Sequence, residues 1–303
     1  MKQRLPAKNL FRNTIKEILP AAFILGVGVL AVPCLLVYKV LNPKSSQEPL
    51  DPSYYLLEYS DIPIASADGN KINAWWIPGV QSFACIVLAP GLRMNRSDAL
   101  SLATVLHKKG FDILIYSRRG SSTSSTKSST LGLKETGDML SVLKFIRERP
   151  ESDPVPIGIW GVDVGAYSAL HAAANLPEVR VIAADNVFES IFEFLDILIY
   201  EEFGLDNRFV QLGCRQAFRL FNIASGSLAI KEIPVEKFAD RSLLFIIGEN
   251  RKRLGSLTTA LYEKLPSKKD LISFKTSRVH LMKEKECQDY DKQVSDFFLQ
   301  NMP

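Results

Sequence analysis

Histidine and cysteine are both scarce in this chain of 303 residues, with three of the first and four of the second. The cysteines, Cys34, Cys85, Cys214 and Cys287, form no Cys-x-x-Cys pair and no cluster with histidine. That excludes the usual spacing of a structural zinc site, and neither a metal nor a cofactor is expected. A chain of this length needs no disulfide framework, so the thiols read as free and buried. An excess of one charge is lacking too. Lys and Arg number 37 against 33 Asp and Glu, a net +4, and much of that surplus falls at the extreme N-terminus. This removes any charge argument for nucleic acid. The rest is globular in composition, 47% hydrophobic and 23% charged, enough for one large α/β domain or two small ones.

Charge is missing altogether between Ile18 and Tyr38. An apolar helix of that length matches the hydrocarbon core of a bilayer, and it has no polar face that would make it amphipathic. Lys2, Arg4, Lys8, Arg12 and Lys16 precede it, whereas Lys39 and Lys44 are soon followed by Glu48 and Asp51. The expected organisation is a basic cytoplasmic segment over 1–17, a single transmembrane anchor over 18–40, a linker over 41–53 and a domain over 54–303. By the positive-inside rule that domain is extracytoplasmic.

From Tyr54 onward, short elements alternate. Two strands flank Asp68-Gly69, a strong hairpin turn. Cys85–Ala89, Phe111–Tyr116, Pro156–Trp160, Val181–Asp185, Ser242–Ile247 and Leu271–Lys275 read as strands, mostly apolar throughout, as in a sheet buried on both faces. Helical patterns lie between them, which implies a mostly parallel α/β sheet with helices on both faces. The mostly helical stretch 188–230 interrupts the alternation as an inserted lid would. The Ser/Thr run from Ser121 to Thr130 reads as a flexible loop.

In such sheets chemistry collects at the carboxyl ends of the strands. There, Gly161-Val162-Asp163-Val164-Gly165 joins a strand to a helix, with small residues where a sharp turn needs them. The chain therefore resembles the α/β-hydrolase superfamily. Ala89-Pro90-Gly91-Leu92 stands where that family has its oxyanion loop, and Tyr116-Ser117-Arg118-Arg119-Gly120 resembles its Tyr-Asp-x-Arg-Gly stretch. Gly132 to Asp138, with Glu135, resembles the helix start that follows. Val279-His280-Leu281 resembles the region of its catalytic histidine. The resemblance runs from about Tyr54 to Met302.

The departures bear on function. The elbow residue is Asp163 where the family usually has serine, and Arg251 occupies the place of a frequent triad acid. One expectation is a degenerate triad without serine-hydrolase activity: a pseudoenzyme or binding domain, whose cleft would take a small-molecule, lipid or peptide ligand. A structural variant of that reading pairs Asp163 with Arg251 or His280. The alternative, implied by relatives that carry Asp at the elbow, makes Asp163 a nucleophile toward an ester, halide or epoxide. His280 would then be the base, oriented by Asp185 or Glu249, and the N–H groups of Leu92 and Val164 would form the oxyanion hole. His107, His171 and Ser168 are expected to serve packing or surface roles.

Overall fold

The computed structural model describes residues 31–43, 48–149, 156–223, 232–276 and 281–303. Strands β1 (Ser60–Ala65), β2 (Lys71–Ile77), β3 (Cys85–Ala89), β4 (Asp112–Tyr116), β5 (Ile157–Val162), β6 (Val179–Asp185), β7 (Ser242–Gly248) and β8 (Lys268–Phe274) form one eight-stranded sheet in the order β1-β2-β4-β3-β5-β6-β7-β8. The β1–β2 and β2–β4 pairings are antiparallel. All those from β4 to β8 are parallel. Eight α-helices accompany the sheet among the described residues. They are α1 (31–41), α2 (Leu100–Lys108), α3 (Glu135–Arg147), α4 (Val164–Ala173), α5 (Ile191–Phe203), α6 (Arg208–Asn222), α7 (Lys252–Lys264) and α8 (Glu284–Asn301). The expected α/β architecture, a mostly parallel sheet between helical layers, is the one observed.

Alternation along each strand sorts the core into two layers. In β3, Cys85, Val87 and Ala89 face one apolar layer with α3 and α4. Ile86 and Leu88 face the other, with α2 and α8. A third cluster joins α5 and α6, inserted between β6 and β7, to the carboxyl ends of the strands through Leu92, Val164 and Tyr167. These two helices occupy the stretch 188–230 in which an inserted lid is expected, and the name lid is kept for them; residues 224–231 lie outside those described.

Most of the anchor expected over 18–40 also falls outside the described residues. Among those described, no helix is long and apolar enough to cross a membrane. The end of that span corrects the expectation, because residues 31–41 form a helix seated on the domain. Val37, Val40 and Leu41 are buried against the lid, whereas Val32, Leu35 and Tyr38 are exposed. Burial of three such side chains is worth roughly 1.5–3 kcal/mol each, enough to hold α1 in place. Leu41 O accepts the Ser129 N–H at 2.9 Å. Within 48–53, Glu48 takes the Arg96 guanidinium at 2.7 and 2.9 Å, and Leu50 O accepts the Ser97 hydroxyl.

The Ser/Thr loop is not free of the fold. Two polar hubs gather it. The Asn70 side-chain oxygen accepts from Ser125 at 2.9 Å and Thr126 at 3.0 Å. The buried Glu135 carboxylate accepts the Ser129 hydroxyl at 2.7 Å and the N–H groups of Thr130 and Gly132 at 2.8 and 2.9 Å. Runs of Ser and Thr signal a loop because they lack apolar periodicity, but that signal is silent on partners supplied from elsewhere. Beside the loop, Arg119 forks onto buried Asp138 at 2.6 and 2.7 Å and reaches Asp68 in the hairpin turn at 2.6 Å. Replacing Arg119 with Ala strands the Asp138 charge, which should cost about 3–5 kcal/mol. Urea unfolding measures this, and a loss below about 1 kcal/mol would show the pair to be inessential.

Candidate active site

The elbow forms where β5 meets α4. Asp163 has φ 40° and ψ −103° and caps the helix. Such a backbone costs about 1–3 kcal/mol and persists only where its surroundings enforce it. Here the Asp163 N–H is held by Asp185 O at 2.8 Å, and Asp163 O accepts the Tyr167 N–H at 2.9 Å. Gly165 lets the helix approach β3: a Cβ there would lie 2.2 Å from Ala89 O.

The carboxylate points into the backbone. Its Oδ1 accepts the Leu92 N–H at 2.8 Å and the Val164 N–H. The two donors expected of an oxyanion hole therefore do converge, and the Asp163 side chain fills the point they share. Gly91 makes room for it, since a Cβ there would sit 2.9 Å from both carboxylate oxygens. Among the described residues, Oδ2 takes no hydrogen bond. Burial pushes the Asp163 carboxyl above its ordinary range; the charge of Arg251, the N–H groups of Val164 and Leu92, and the charge of Arg118 oppose it.

Arg251, in the place of the acid, makes no direct pair with Asp163. It forks onto Glu201 of α5 at 2.9 and 2.7 Å. Two more arginines grip the same end of the lid helix, Arg93 on Glu202 and Arg253 on Asp206, and Arg253 stacks over Tyr200 at 3.6 Å. Arg118 is the second cation near the carboxylate. It is buried and donates to Arg119 O at 2.5 Å, while its Nε finds no partner among the described residues. Burial pushes Arg118 down to about 10, with Asp163 and Glu135 pulling upward.

The other candidate residues separate. Asp185 is fully buried at the end of β6, where its Oδ2 accepts the Tyr290 hydroxyl at 2.7 Å and its Oδ1 accepts from Asn186. Trp160 donates to the Tyr290 oxygen at 2.8 Å. Glu249 is exposed and, among the described residues, reaches only Ser273, at 3.5 Å. His280 lies outside the described residues. Ser168 is buried and donates to Val164 O at 2.8 Å, which leaves it no role as nucleophile. His171 packs on Tyr167 with ring centroids 4.3 Å apart, and His107 meets Pro78 O at 3.0 Å. Sequence reasoning missed Tyr290, Asn186, Glu201 and the position of Arg118. Only Arg118 carried a local signal, through the stretch after β4.

Burial pushes Asp185 up to about 7, and nearby Asp163 adds to the push against the hydrogen bonds of Tyr290 and Asn186 and the charge of Arg251. A carboxyl raised on folding stabilises the fold fully below its unfolded value near 3.8, and that contribution is lost as pH climbs toward 7. Asp185→Asn cannot ionise. The urea midpoint of the native chain should therefore fall relative to that of the variant as pH rises from about 4 to about 7. Parallel midpoints across that window would contradict the assignment.

No protein-family model matches the chain. Relatives and solved structures do. An uncharacterised protein of Bacillus subtilis is 24% identical over 253 residues, 82% of each chain. A thiohydrolase of Aspergillus aculeatus is 28% identical over 127 residues, 41% of this chain and 40% of that one. The chain thus aligns with about two fifths of the length of that relative. Among solved structures, an esterase of Pyrococcus furiosus superposes with a TM-score of 0.69 at 21% identity, covering 88% of this chain and 99% of that one. A soluble variant of the monoglyceride lipase of Saccharomyces cerevisiae gives 0.61 at 12% identity, covering 85% and 99%. Sheet order, elbow and neighbours agree: this chain has the α/β-hydrolase fold.

Proposed function

We propose that the chain is a membrane-tethered α/β-hydrolase-fold domain that does not carry out serine-type ester hydrolysis and acts by binding. The observation that carries this is the Asp163 carboxylate on the N–H groups of Leu92 and Val164. In serine acyl transfer those donors must take the substrate oxygen, on which charge develops. An anionic side chain that already holds them excludes it. Two further observations support the reading. The triad acid is replaced by an arginine committed to the lid, and Asp185 is committed to Tyr290 and Asn186. The ligand class is a small molecule, lipid or peptide. The tether is the apolar stretch that begins at Ile18 and runs into α1, with the N-terminus cytoplasmic and the domain exported. A reporter fused after Pro303 should be active only in its exported form.

One feature favours a second reading, in which Asp163 is a nucleophile. With Oδ1 in the donors, Oδ2 is the oxygen left to attack carbon. The resulting ester, formed as a halide leaves or an epoxide C–O bond opens (an ester substrate would expel its alkoxide and leave an anhydride), would keep its carbonyl oxygen where hydrolysis by water, with His280 as base, needs charge stabilised. One experiment separates the two. The native chain and its His280→Gln variant are incubated in heavy-oxygen water with esters, halides and epoxides, and the Asp163 peptide is weighed. Binding without chemistry predicts no mass change in either; label in the native chain or an adduct on the variant would establish the nucleophile. On the binding reading, Asp163→Ser vacates the hole, and the variant should hydrolyse activated esters about a thousandfold faster than buffer.

A further inference from the structure

The strongest apolar exposure in the molecule is not at the elbow. Eight of the sixteen large apolar side chains exposed among the described residues belong to α1 and the α6 segment. Four of the five in the α6 segment follow one stripe: Phe209 at 85% exposure, Leu212 at 57%, Leu220 at 60% and, just past its end, Ile223 at 56%. Cys214, Ala217 and Phe218 on the opposite side are buried. The helix is therefore amphipathic in an unusual sense, because both its inner face and part of its outer face are apolar. Val32 and Leu35 of α1, more than half exposed, continue the surface. The two helices touch, since a Cβ on Gly213 would lie 2.8 Å from Pro33 Cγ.

The charges within α6 itself have one sign. Helix α6 contains Arg208, Arg215 and Arg219 and no acidic residue. Their spacing places all three along one margin of the apolar stripe. Arg215 is paired with Asp196 across the lid, whereas Arg208 and Arg219 are exposed. A solvated apolar face of this size is unfavourable in water unless something covers it. The uncharged chain from Ile18 runs directly into α1, so whatever receives that stretch also meets α6.

We propose that the joined outer faces of α1 and α6 dock on an anionic lipid bilayer. The apolar stripe enters the headgroup boundary and the arginine margin meets lipid phosphate. This rests on the tether reading and deepens it: the lid lies against the membrane, and the strand ends beneath it face that way.

The test uses the full chain in vesicles of phosphatidylcholine with about one quarter phosphatidylglycerol, their acyl chains brominated or not. Phe209→Trp places a reporter on the stripe. Leu299→Trp is the control on α8, whose neighbour Asn301 bonds Lys268 at the opposite end of the sheet. The native tryptophans, Trp75, Trp76 and Trp160, are buried and form a common background. Bromine should quench the Phe209→Trp emission about twofold, leave Leu299→Trp unchanged, and quench less in phosphatidylcholine alone. Flotation with the vesicles reads the tether separately. Flotation without selective quenching would overturn the docking surface and leave the tether standing, and a chain that fails to float would overturn both. A Phe209→Trp reporter shielded from bromine and from aqueous iodide alike would mean that protein covers the stripe, and would also overturn the proposal.

Discussion

The grip of two backbone N–H groups on one carboxylate oxygen organises the carboxyl end of this sheet. Leu92 and Val164 come from different loops, and Asp163 Oδ1 is the atom on which they meet. A buried carboxylate is costly without compensation, and two charge-assisted hydrogen bonds are a strong form of it. The same contact holds Asp163 in a backbone conformation that side chains rarely adopt. It also brings the loop after β3 close enough that Gly91 has no room for a side chain. Site geometry and local stability thus depend on the same two hydrogen bonds.

Around this point the positive charges are kept near but not in contact. Arg118 and Arg251 both act on Asp163 through space. Direct pairing is withheld because Arg251 is taken by Glu201 and Arg118 by a backbone carbonyl. Arg251 instead clamps the lid, together with Arg93 and Arg253. Acidic residues at the end of α5 and just beyond it supply all three partners. The lid is therefore tied to the loops that build the elbow, so motion of one is felt by the other. Of the expected pairings for Asp163, that with Arg251 is replaced by the contact with the backbone.

Much of the fold was legible in sequence because its signals are local. Runs such as Cys85–Ala89 are apolar throughout only when both faces are covered, and Asp68-Gly69 can turn a hairpin without help. Small residues at Gly161 and Gly165 announced a sharp turn, and the helices between strands declared themselves by period. The site was legible in part. Asp163, Leu92 and Val164 were nominated together and meet. Asp185 and Glu249 were nominated as partners for His280, which lies outside the described residues. Asp185 is held by Tyr290, a residue 105 positions away on a helix that carries no motif.

The sequence alone determined the order and kind of the elements, the elbow and the residue at its centre. These depend on side-chain size, polarity and period within a few residues of one another. Only the tertiary structure decided what the central carboxylate touches, where the cations go and which face of α1 is buried. Leu92 and Asp163 are 71 positions apart, and no local pattern says which of several nearby donors and cations a buried charge will choose. That choice is made by the balance between desolvation and the geometry of every neighbour at once, which exists only when the chain is folded.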